Sequence, residues 1–243
     1  MTGSVEYAWA RVAARQSRRP DAAEWHRVET PRSLAGVLDA ARGGGLEPWV
    51  EGLDGRAHAH AIEAHLRARW RARVDEVARW MPDEWRPAVR WCAWLPDLPL
   101  LRTLARGDAL PAGVDDPAWH DARPGPPRAP SPLAPLAPAW RVGGDVARAW
   151  SDAWRHRWPR RDATLAALDR TVAAHVAAFR TADAGTGPAL RAAFAVALRS
   201  LFRRATASPA AVFVHLAQCL LDGERLRGEL LRRAALPRVP LAP

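Results

Sequence analysis

Between Ala57 and Trp80, apolar residues return at every third or fourth position: Ile62, Leu66, Trp70, Val74 and Val77, continued by Met81, with arginines on the opposite side. That spacing matches the turn of an α-helix and draws one apolar stripe along it, so the segment is expected to be the spine of a helical domain. The composition agrees. Hydrophobic residues make up 49% of the 243 positions, with alanine prominent among them, while Tyr occurs 1 time, Phe 4 times and Ile62 is the only isoleucine. Such a chain is rich in the best helix former and poor in strand formers, and the reading is all-α.

Other segments carry start and stop signals of the same kind. Val5, Trp9 and Val12 recur at helical spacing between Ser4 and about Arg18, and Pro20-Asp21 followed by Glu24 reads as a capping box opening a second helix. A third is expected from Ser33 to Arg42, with Leu34, Val37, Leu38 and Ala41 on one face, ended by Gly43-Gly44-Gly45 before Leu46 to Leu53. Asp83 opens a helix that tolerates Pro87 in its first turn and ends near Leu95-Pro96, where Asp97 starts the next.

Nine prolines between Pro111 and Pro138 forbid continuous helix and favour an extended linker. Beyond it, helices are expected at Gly144 to Trp158, at Asp162 to Thr181 (Leu165, Leu168, Val172, Val176 and Phe179 inward) and at Gly187 to Arg204 (Leu190, Phe194, Leu198 and Leu201 inward). Ser208 as N-cap and Pro209 at the first helical position start a last helix running to about Ala235. The predicted organisation is a helical domain over 1–108, a Pro-rich linker over 109–138 and a second helical domain over 139–243, each built from repeated amphipathic helices.

No group of residues assembles into a catalytic pattern. The three glycines lack both a preceding strand and a following Lys-Ser/Thr, so neither nucleotide-loop pattern is met. His58, His60 and His65 cluster at the start of the long helix, but on a helix His58 and His60 point about 200° apart, which argues against a shared metal. Asp115, Asp116, Asp121, Glu47 and Glu51 have no His, Ser or Cys at a spacing that acid–base or nucleophilic chemistry would use. Cys92 and Cys219 are too few for a disulfide framework and sit in apolar helical stretches, so buried thiols in a reducing cytoplasm are expected. No signal segment is readable at the N-terminus, and the longest near-apolar run, Ala210 to Leu221, contains His215 and Gln218 and falls short of the roughly 20 residues of a membrane span. Neither an enzyme nor a cofactor is expected.

The net charge of +10 and a pI near 11.3 invite an acidic partner. All 36 basic residues are arginine and asparagine is absent, a bias that a GC-rich genome produces without any ligand. Thirteen tryptophans, several beside arginine (Arg69-Trp70, Arg79-Trp80, Arg90-Trp91, Trp154-Arg155), fit packing between helices with guanidinium groups over the rings. The alternative is a nucleic-acid-binding protein in which Arg155, Arg157, Arg160 and Arg161 contact phosphates and nearby tryptophans stack on bases.

The two ends of the chain resemble a known family. Tyr7-Ala8-Trp9-Ala10-Arg11-Val12 is similar to the first helix of the C/d connector family of rotary ATPases, named the C subunit in archaeal-type enzymes and the d subunit in vacuolar (V-type) ones. Pro209, Val212-Phe213-Val214-His215-Leu216 and Asp222-Gly223-Glu224-Arg225-Leu226-Arg227-Gly228-Glu229-Leu230-Leu231 resemble its closing segment. Ile62-Glu63-Ala64-His65-Leu66-Arg67 and Asp97 to Leu101-Arg102 resemble two further helices, and Asp222 to Leu226-Arg227 echoes the latter. The resemblance implies a shortened, non-catalytic central-stalk connector joining the rotor shaft to the membrane proteolipid ring, peripheral on the cytoplasmic face, in ion or proton transport. It also implies protein-interface roles for Arg102, Arg106, Arg225, Arg227, Arg232 and Arg233, since arginine pairs with carboxylates in two-pronged fashion.

Overall fold

The computed structural model describes residues 3–109, 131–140, 144–183 and 185–235. Among them no strand occurs, and the α-helices are α1 (Val5–Gln16), α2 (Ala22–Glu29), α3 (Leu34–Ala41), α4 (Glu47–Val50), α5 (Ala59–Trp80), α6 (Arg86–Trp91), α7 (Leu98–Ala105), α8 (Val146–His156), α9 (Ala163–Arg180), α10 (Gly187–Arg204) and α11 (Pro209–Ala235). The all-α expectation holds, and the stripe read on the long helix is buried at every position from Ile62 to Met81.

The chain forms two compact units. One joins residues up to 83 with those from 160 onward, and the other covers 84–159. This differs from a division at the Pro-rich stretch, and the reason lies in α11. Every residue from Pro209 to Leu216 is buried, so this helix is apolar all round rather than along one stripe, and α1, α3, α5, α9 and α10 all pack against it. Its cover comes largely from the other end of the chain. Gly223 helps here, because a Cβ at that position would lie 2.8 Å from the Trp49 ring, which stacks in turn on Trp70.

In the second unit α8 packs against α6, α7 and a 3-10 helix over Ala134–Trp140. Residues 110–130 of the Pro-rich stretch lie outside the described residues, but its C-terminal part is not an extended linker. Pro132, Pro135 and Pro138 recur every three residues and are exposed, while Leu133, Leu136 and Ala139 recur every three residues and are buried. Three residues per turn is the 3-10 period, which tolerates this proline spacing. The helix expected to run to Leu95 instead ends at Trp91 and continues as a 3-10 helix over Cys92–Asp97, since the Pro96 ring crowds the carbonyl four residues back.

The helices expected to start at Ser33 and Asp162 are capped by those residues. The Ser33 and Asp162 side chains accept from the N–H groups of Gly36 and Leu165. Ser208 accepts from the Ala210 N–H and donates to Asp162, tying the starts of α9 and α11 together. The capping box does not form: Asp21 accepts from the Glu24 N–H, but the Glu24 side chain turns inward. The echo of Asp97 by Asp222 is not one of structure, for Asp97 precedes α7 whereas Asp222 lies within α11.

Candidate protein interface

The interface arginines expected from the sequence lie on α7, at its C-cap and on the C-terminal half of α11, and most of those on α11 have internal partners. The Nε and Nη2 of Arg225 donate to Glu29 at 2.8 and 2.5 Å, and its guanidinium lies 4.2 Å from the centre of the Trp25 ring. Arg227 donates to Glu63 on α5 at 2.8 and 2.5 Å and also faces Glu224, and these carboxylates raise its pKa.

Arg233 is the most enclosed, with a side chain 7% exposed. It donates to the carbonyls of Glu29 at 2.7 Å and Pro31 at 3.0 Å, filling acceptors that the end of α2 leaves open, and pairs with Glu229. Arg232, more open, also pairs with Glu229. In the second unit Arg106 pairs with Asp108 at 3.0 Å, and Arg102 is exposed. Arg227 and Arg233 thus fasten α11 to α5 and to the α2–α3 turn, while Arg102, Arg106, Arg225 and Arg232 keep more of their surface in solvent.

A polar seam inside the first unit has no counterpart among the sequence motifs. Arg19, just past α1, grips Asp222 with two hydrogen bonds of 2.8 and 2.9 Å and also donates to the Gln218 carbonyl. Gln16 bonds Gln218, and Arg15 pairs with Glu76 of α5. Burial raises the Asp222 pKa, with Arg19 working against that rise. Two turns before Asp222, His215, 1% exposed, lies 3.5 Å from the Cys219 Sγ. Burial, with Arg73, Arg19 and Arg15 nearby, pushes its pKa down to about 3, and burial pushes the Cys219 thiol up. This Cys–His pair is a protonated thiol beside a neutral imidazole, the opposite of an activated nucleophile. Its one trace in the sequence is that His215 and Gln218 interrupt the longest apolar run.

The glycine run does receive an anion, but an internal one. The Glu24 carboxylate accepts from the N–H groups of Gly45 at 3.0 Å and Leu46 at 2.9 Å. A Cβ on Gly44 would lie 2.4 Å from Glu24 Oε1, and one on Gly45 would lie 2.4 Å from the Arg18 carbonyl oxygen. The glycines serve close approach as well as termination.

The histidine geometry also differs from the helical reading. His58 is the N-cap of α5, in extended backbone, and accepts from the Ala61 N–H, so the 100° rule does not relate it to His60. Their rings lie 6.1 Å apart, His65 instead meets the Trp49 carbonyl, and among the described residues no three metal-ligating groups gather.

Tryptophans of the second unit form part of its core. Trp91 donates to the Trp150 carbonyl at 3.0 Å, Trp150 stacks on Trp154, and Trp154 meets Trp158 edge-on. All four are buried, and the Arg157 guanidinium covers Trp91 at 4.1 Å. These rings are engaged with one another, as packing between helices requires, and offer no open face for a base. Arg155 pairs with Asp152, while Arg160 and Arg161 are exposed.

The chain matches no protein-family model, no curated protein and no solved structure. Among the described residues no helix is long and apolar enough to cross a membrane.

Proposed function

We propose that this chain is a non-catalytic connector of the central stalk of a rotary V/A-type ATPase, similar to the C/d connector family, between the rotor shaft and the membrane proteolipid ring. In this role it takes no cofactor and no small-molecule substrate, works at the cytoplasmic face of the membrane, and carries torque during ion transport.

The observation that most supports this reading is the pairing of the two segments that carry the resemblance. Tyr7–Val12 lies on α1 and Pro209–Leu231 on α11, and these helices pack together in one unit through Gln16–Gln218 and the two-pronged Arg19–Asp222 bond. Segments some 200 residues apart in sequence therefore act as one element, as a fold inherited whole would require. A body cross-linked by partly buried ion pairs, Arg15–Glu76, Arg19–Asp222 and Arg227–Glu63, suits a part that must transmit force without yielding. Tyr7, 45% exposed, and Arg102, Arg106, Arg225 and Arg232 are the surface positions proposed for contact with the shaft and ring.

Affinity purification of the tagged chain from gently solubilised membranes of its own host tests this directly. Ring and shaft proteins are expected in fixed ratio with the chain. Recovery of the chain alone, with the rotary complex intact elsewhere in the gradient, would refute the assignment.

A further inference from the structure

In the second unit an open cleft of about 420 Å³ lies between α8 and the 3-10 helix over Ala134–Trp140. Spacings of three and four residues put Arg148, Ala149, Asp152, Ala153 and His156 on one face of α8, and all of them line the cleft. The other wall is Ala139 with Pro135 and Pro138, the exposed edge of the 3-10 helix. Its volume falls among those of small-molecule sites, about 300 to 1,000 Å³, and exceeds what a bare inorganic ion fills.

The charges around this cleft are not balanced within the fold. Asp145 caps α8, accepting from the N–H groups of Ala147 at 2.9 Å and Arg148 at 3.1 Å. Asp152 pairs with Arg155 and lies 3.9 Å from the Arg148 Nε. Arg157 also lines the cleft, and among the described residues no carboxylate pairs with it. It donates to the Ala153 carbonyl at 2.6 Å and lies 4.1 Å from the centre of the Trp91 ring. A half-buried cation without a counter-charge is costly, and burial accordingly lowers its pKa. The end of α8 does not supply the missing charge, because the carbonyls of Ala153, Trp154 and Arg155 are taken by the Arg157 guanidinium, the Arg157 N–H and the Trp158 N–H. Next to Arg157, the His156 Nδ1 meets the Asp152 carbonyl at 2.7 Å. A carbonyl only accepts, so Nδ1 carries the proton and Nε2 remains for a ligand.

We infer that this cleft binds a small organic anion, a carboxylate or phosphate monoester, whose acid group pairs with Arg157 beside His156 and whose compact apolar body lies on Pro135, Pro138 and Ala149. Arginine suits either acid group, since its planar fork meets two oxygens at once. A cationic ligand fits less well, because both carboxylates on the wall are already engaged and Arg148, Arg155 and Arg157 outnumber them. Binding alone is assigned, with no reaction, and it rests on none of the observations behind the rotary-ATPase reading.

The test is isothermal titration calorimetry of the full chain with benzoate, phenyl phosphate and benzylamine at low salt. At least one of the two anions should bind saturably at a single site, and benzylamine should not. Ala149→Leu fills the cleft at a position where a helix accepts leucine and leaves Arg157 in place, and it should weaken the anion by about tenfold or more. Arg157→Met should weaken it comparably by removing the charge that meets the acid group. Circular dichroism checks that each variant keeps its helix content, and if Arg157→Met loses it, Ala149→Leu alone decides. The inference is overturned if neither anion binds, if benzylamine binds as tightly as the anion, or if either folded variant binds the anion like the parent.

Discussion

His215 should make the first unit acid-sensitive. In the native chain its pKa is pushed down to about 3, against an ordinary value of 6.5, because burial and the neighbouring Arg73, Arg19 and Arg15 all disfavour the imidazolium. Between those two values the unfolded chain binds a proton on this residue that the native chain does not. Stability therefore rises with pH through this window; the contribution is complete above 6.5 and is lost as pH falls toward 3. With 1.36 kcal/mol per pKa unit, the loss on going from pH 7 to pH 5 is about 2 kcal/mol, approaching about 5 kcal/mol at the bottom of the window. Against a total stability of about 5 to 15 kcal/mol, that is a large share.

Urea unfolding at pH 7, 6, 5 and 4.5, followed by circular dichroism for the parent and His215→Leu, isolates the effect, because the carboxylates titrate alike in both proteins. The parent should lose about 2 kcal/mol more than the variant between pH 7 and pH 5. Parallel pH profiles for the two proteins would refute the claim that a buried neutral imidazole sits in this core.

Arg19→Met removes the partner of a largely buried Asp222 and should cost about 3 kcal/mol in urea unfolding at pH 7, with Asp222→Asn costing less because it leaves no uncompensated carboxylate. Glu24→Ala strips the acceptor from the Gly45 and Leu46 N–H groups, and a loss of about 2 kcal/mol is expected by the same measurement. Gly45→Ala should lower the melting temperature in calorimetry, since its Cβ would meet the Arg18 carbonyl oxygen at 2.4 Å; an unchanged melting temperature would mean that the loop yields. Trp91, Trp150, Trp154 and Trp158 are buried, so single-stranded DNA should leave the acrylamide-inaccessible fraction of the tryptophan fluorescence unchanged.

What can be read from the sequence is whatever a short window contains. The stripe from Ile62 to Met81 and the helix starts at Ser33 and Asp162 each depend on residues within a few turns, and all stand in the structure. Glu24 misleads because a carboxylate three residues after an N-cap has a local use, whereas its actual partners are 21 and 22 residues away. The three-residue rhythm of Pro132, Pro135 and Pro138 against Leu133, Leu136 and Ala139 is visible in the sequence, but proline density hides it. The seam of Gln16 and Arg19 with Gln218 and Asp222 links residues about 200 positions apart, and no local pattern announces such a pairing. Periodicity also tells which side of a helix is apolar without telling what covers it, which is why Val172, Val176 and Phe179 are expected inward and are half-exposed or exposed. For the interface arginines, the sequence nominates Arg227 and Arg233 by resemblance but cannot reveal Glu63, the Glu29 carbonyl and the Pro31 carbonyl waiting for them inside the fold.

The central claim, a connector of a rotary ATPase, is tested most directly by ATP-driven ion uptake into inverted membrane vesicles from host cells with and without this gene. Vesicles lacking the chain should hydrolyse ATP without accumulating the ion, and adding back the wild-type gene should restore uptake. Undiminished uptake in its absence, with no other copy of the gene present, would contradict it.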